Sequence, residues 1–142
     1  GLYEIGGIAV DSDETFFRTL ADGDHEQGRF GHRQHVHLTW SAISRFGSDG
    51  AQPKIGAFLR HVATGTGVPE KYNETVTAFW VRAVSHAMDE GCAGESFGQL
   101  VDDHPALLDK ELPLRHWSSD ALWSEAAKRE WVEPDVRPLS FG

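Results

Sequence analysis

Apolar positions recur at helical spacing along most of the chain. From about Phe30 to Phe46, Leu38, Ala42 and Phe46 fall on one stripe, with Thr39 and Ile43 beside it, the repeat of an amphipathic helix. Gly47-Ser48-Asp49-Gly50 ends that run. Pro53 opens a second helix through about Ala63, with Ile55, Phe58, Leu59 and Val62 on its apolar face, because proline's fixed φ suits a first helical turn. Gly65-Thr66-Gly67 breaks it, and Pro69 opens a third helix that runs to Glu90 and stops at Gly91. Ser96 to Asp103 reads as a short fourth helix, interrupted at His104-Pro105 and resumed from Ala106 to Lys110. Ser118 or Ser119 caps a last helix that ends before Pro134. Ahead of these, Gly1 to Val10 reads as an extended arm, Ser12 or Asp13 caps a short helix over Thr15 to Leu20, and Ala21 to Gly28 is an acidic loop. No stretch alternates like strands joined by hairpin turns. The expected class is all-α. It comprises a single helical domain over residues 1–142, with an arm and short helix in 1–28 and an irregular bundle in 29–142, about five to six helices in all.

Length and charge narrow the picture further. At 142 residues the chain suits one hydrophobic core, and 25% charged residues is globular rather than disordered. No apolar run reaches the roughly 18 residues of a membrane span. No basic-then-apolar leader opens the sequence, so the reading is a soluble, cytoplasmic protein. A net charge of −9 argues against nucleic acid or an anionic membrane as partner, since both call for a cationic surface. The single cysteine, Cys92, excludes an internal disulfide and a zinc site built on several thiolates.

Eight histidines are the unusual count, and their placement matters more than their number. On the first long helix His35 falls within the apolar stripe, His32 lies at its edge, and Thr39 is one turn below His35. His37 points away, toward solvent. Two imidazoles at i, i+3 can reach one atom, or each can be a satisfied boundary residue. On the third helix Asn73 and Thr77 fall in the apolar arc beside Trp80, and Glu74 is at its border. A buried Asn or Thr needs a hydrogen-bond partner. That partner is either a ligand or local backbone, with Asn73 serving the N-terminal turn and Thr77 bonding back to the preceding one. If helices one, two and three run up, down and up, His32, His35 and Thr39 meet Asn73, Glu74 and Thr77 at one level, closed by Tyr72, Trp40 or Trp80. Trp117, Trp123 and Trp131 read as core anchors of the last helix.

The segments Arg29-Phe30-Gly31-His32-Arg33-Gln34-His35-Val36 and Tyr72-Asn73-Glu74-Thr75-Val76-Thr77 resemble a largely uncharacterised group of small bacterial all-helical proteins. That group carries F-x-H-x-x-H-[VL] and Y-H-E-T-[IV]-T motifs. The resemblance implies a helical fold and a location for the site, not an activity. The group usually has histidine where this chain has Asn73, so it implies three converging imidazoles of which this chain keeps two.

Three functions follow as expectations. In the first, a small bacterial enzyme acts on a small polar or anionic metabolite, with His32, His35 and Glu74 holding one divalent transition metal, iron or zinc. In the second there is no cofactor: His35 and Glu74 carry acid–base catalysis, while Thr39, Tyr72, Asn73, Thr77 and Trp80 contact substrate. The third is a non-catalytic small-ligand binding module. The aromatic content also leaves room for a homodimer.

Overall fold

The computed structural model describes residues 2–5, 8–23, 31–92 and 94–140. The expected helix start at Phe30 and residues 24–28 of the expected acidic loop lie outside these. The architecture is all-α, with six α-helices among the described residues and one short hairpin at the start. Where a single extended arm and no paired strands were expected, β1 (Leu2–Ile5) pairs antiparallel with β2 (Ile8–Asp11), Leu2 opposite Asp11 and Ile5 opposite Ile8. Helix α1 spans Ser12–Gly23, twice the length expected.

The first and second predicted helices form one long element, α2 (His32–Gly65), kinked at Gly47 with φ 78° and ψ 163°. That backbone region is open essentially to glycine alone, so Gly47 turns the chain without ending it. The second half therefore begins before Pro53, which sits inside the helix. The bond that proline cannot make would go to the carbonyl of Asp49, an exposed residue.

Pro69 does not open the third helix. It starts a single 3-10 turn, Pro69–Lys71, and the chain then extends through Tyr72 and Asn73 before α3 (Glu74–Glu90). The Asn73 side chain accepts from Val76 N and makes Asn73 the N-cap. α4 (Phe97–Asp103) is capped by Ser96, and a 3-10 turn, Pro105–Leu108, follows it. After a second such turn (Leu112–Arg115), the last predicted helix is two short ones, α5 (Ser119–Leu122) and α6 (Glu125–Arg129), capped by Ser118 and Ser124. The break at Trp123-Ser124 shifts the helical phase. Trp117 is buried and Trp131 partly buried, but Trp123 is 50% exposed and anchors nothing.

One apolar cluster joins α1, both halves of α2, α3, α4 and α5. Phe17 of α1 stacks on Phe58 at 5.4 Å, and Phe16 meets Phe46 edge-on at 5.7 Å. Thus α1 clamps residues from either side of the Gly47 kink. On the far side Phe79 and Trp117 pack edge-on at 5.7 Å, and Trp117 and Trp131 at 5.4 Å. The C-terminal segment is stitched to this wall. Thr75 Oγ1 donates to Glu130 O (2.8 Å) and accepts from Val132 N (3.2 Å), and Trp117 Nε1 donates to Val132 O (3.1 Å). No helix is long and apolar enough to cross a membrane among the described residues.

A Cβ at Gly47 would touch nothing within 4 Å, so the cost of Gly47→Ala is backbone strain alone. Urea unfolding should show a loss of about 1–3 kcal/mol. An unchanged midpoint would mean that the kink tolerates an ordinary φ.

Candidate functional site

The candidate side chains fall into two groups. The first is the histidine pair on the opening turns of α2. Gln34 Oε1 accepts from Gly31 N at 3.0 Å and closes the helix start. His32 Nε2 lies 2.9 Å from the carbonyl of Leu107, so that nitrogen carries the hydrogen and donates. Its ring lies 4.6 Å from Trp80 and 6.4 Å from His35. Burial lowers the His32 pKa; the Leu107 bond and Asp109 oppose that, while Lys110 adds to it. His35 Nε2 is buried and has no hydrogen-bond partner among the described residues. Burial, and then the neighbouring His32, push its imidazole down to about 4. At neutral pH His35 is uncharged. Thr39 is buried, and its Oγ1 donates to His35 O at 2.9 Å, bonding to its own helix. His37 is half-buried rather than solvent-facing, stacked on Phe97 at 4.4 Å.

The second group sits where α3 begins. Tyr72 donates to Glu74 Oε1 at 2.5 Å, Arg60 Nη2 donates to the same oxygen at 3.0 Å, and Gln52 Nε2 reaches Oε2 at 3.4 Å. The Arg60 guanidinium also lies over the Tyr72 ring, 4.7 Å from its centre. Burial, then the bond to Glu74, push the Tyr72 phenol up to about 12. Gly56 makes room for that hydroxyl: a Cβ there would stand 2.8 Å from it. Sequence reading missed Arg60, Gln52 and Gly56. Their signal was faint, since all three lie on the second half of α2 and meet Glu74 only because that segment packs against the start of α3.

The structure thus joins Tyr72 and Glu74 but does not bring Glu74 to His32 and His35. The hydrogen bonds and ring contacts of the two histidines reach none of Asn73, Glu74 or Thr77. His32 meets α3 at Trp80, about two turns beyond Glu74. The fit to a transition metal fails on the same point. Glu74 already accepts from three donors, and no group of three or more His, Cys, Asp or Glu that could hold an ion occurs among the described residues. Asn73 and Thr77 take the local option. Asn73 Oδ1 accepts from Val76 N (3.0 Å), its Nδ2 donates to Leu122 O (2.7 Å), and Thr77 Oγ1 donates to Asn73 O (3.0 Å). Trp80 is a buried core residue.

Beside the second group a groove of about 430 Å³ opens between the end of α2 and α6. Arg60, Tyr72, Glu70, Glu125, Lys128 and Arg129 contribute its polar wall. A second cleft of about 380 Å³, lined by Asp49, Gln52, Arg82 and His86 among others, lies between α2 and the later turns of α3.

Two substitutions test this geometry. Asn73→Asp keeps the cap acceptor but removes the donor to Leu122, and should lower stability by about 1–3 kcal/mol in urea unfolding; a parent-like midpoint would show that the Leu122 bond adds nothing. For His35, the unfolded chain takes a proton near pH 6.5 and the folded one only near 4. Stability should therefore be full above pH 6.5 and decline as pH falls toward 4, by up to about 3 kcal/mol. His35→Leu removes the partnerless atom and should unfold no more easily at pH 7 while flattening that decline. A steep acid loss persisting in the variant would assign it elsewhere.

No protein-family model matches the chain, and no curated protein or solved structure matches it either.

Proposed function

We propose that this chain is a small-ligand binding module that holds a small polar or anionic metabolite in the groove between the end of α2 and α6. The observation that carries this reading is the groove itself. It has the volume of a metabolite and presents Arg129, which has no partner among the described residues, beside Lys128 and the Tyr72–Glu74–Arg60 set. Pockets of a few hundred Å³ with a few converging polar groups are the usual form of such sites.

Binding is favoured over acid–base catalysis by the chemistry of the candidate groups. A general acid or base works best with a pKa near the working pH. The Tyr72 phenol stands near 12 and the His35 imidazole near 4, displaced from neutrality in opposite directions. Tyr72, Glu74 and Arg60 also satisfy one another, which suits a preformed wall rather than a proton relay. No step is routed through a metal, because His32 is bonded to Leu107 O, Glu74 accepts from Tyr72, Arg60 and Gln52, and no third ligand stands beside the two histidines among the described residues. Proton transfer at His35 is the second reading, favoured by the buried Nε2 that lacks a partner.

The test is NMR titration of the full chain with inorganic phosphate and with succinate. Resonances of residues 60, 72, 128 and 129 should shift together and saturate, and Arg129→Gln should weaken binding by about tenfold. Shifts centred on the His35 ring would favour the second reading. Shifts scattered over the surface and unaffected by Arg129→Gln would remove the groove from consideration.

A further inference from the structure

The charges around the groove form pairs with a remainder. Arg60 is bound to Glu74 at 3.0 Å, and Lys128 lies 3.8 Å from Glu125. That leaves Arg129 of α6 and Glu70 of the Pro69–Lys71 turn, both exposed and both without an ion-pair or hydrogen-bond partner among the described residues. One unmatched cation and one unmatched anion therefore face the same space.

That remainder discriminates between ligand charge types. A simple anion gains Arg129 but must sit near Glu70 and Glu125. A simple cation gains Glu70 but must sit near Arg129 and Lys128. Only a molecule with both signs is attracted at both ends and repelled at neither, the condition under which charge complementarity selects a partner. Apart from Arg60, the rest of the lining is uncharged: Pro69 and the Tyr72 ring offer carbon surface, and Thr64 offers a hydroxyl. A volume of about 430 Å³ admits a molecule of amino-acid size.

We infer that the groove takes a zwitterion of amino-acid size, its carboxylate on Arg129 and Lys128 and its ammonium on Glu70 and Glu125. The inference rests on the binding reading above and narrows it, since it demands the ammonium as well as the anion.

Calorimetric titration of the full chain with L-alanine, propionate and isopropylammonium tests it, because the last two each lack one of alanine's charges. Alanine should bind at least tenfold more tightly than either. Glu70→Gln should bring alanine down to the level of propionate while leaving propionate unchanged or slightly tighter, and Arg129→Gln should weaken both. Glu70 and Arg129 are exposed, so both variants should melt with the parent. If propionate binds as well as alanine and Glu70→Gln leaves alanine unaffected, the zwitterion is overturned while the groove stands as an anion site. If none of the three probes binds, and phosphate and succinate do not either, both readings fall together.

Discussion

The amide of Asn73 holds the rest of the arrangement in place. Its oxygen accepts from Val76 N and starts α3, while its nitrogen donates to Leu122 O and ties that start to α5. One small side chain therefore serves as both cap and cross-link, and being buried it has no water to fall back on. The consequences run along the first turn. Glu74, directly after the cap, is aimed at Arg60 and Tyr72. Thr75 is aimed at the C-terminal segment, and Thr77 closes back onto Asn73 O. A larger, aromatic side chain at this position would have to give up the short reach to Val76 N, so Asn73 sets where α3 begins.

Buried polarity is handled differently on the two sides of α3. At the start of the helix each group has its partner, and the result is a rigid wall beside a groove. At the histidine pair the accounting is incomplete: His32 is satisfied by Leu107 O and packed on Trp80, yet His35 Nε2 is left alone. Burying a neutral imidazole nitrogen without a partner costs about 1–3 kcal/mol, and burying it charged costs far more. Burial holds the His35 imidazole well below its ordinary pKa, so a loss of stability in acid is expected at this end of α2.

The net charge of −9 describes the whole surface and misleads about its parts. Around the groove, cations and carboxylates alternate within a few residues, and most cancel in pairs. Exposed pairs of this kind add little to stability. Their effect is on what can approach, because the unpaired remainder sets the local field at distances below the screening length, roughly 8 Å at physiological salt.

The helical class, the apolar stripe on the first half of α2, the stops at Gly65 and Gly91 and the burial of Trp80 and Trp117 were legible in the chain's order, because they depend on neighbours three or four residues away, whereas the stop expected at Gly47 proved to be a kink. The local fates of Asn73 and Thr77 were legible as one of two options, but not the choice between them. That choice required Leu122, 49 residues away. The same holds for Glu74. Its spacing from His32 and His35 is compatible with a shared pocket, but Arg60, Gln52 and Tyr72 reach it first once the second half of α2 packs on α3. Periodicity could assign each residue a face on its own helix. Which two faces meet, and at what level along them, was decided by the kink at Gly47 and the anchoring of α3, which are properties of packing between segments far apart in the chain.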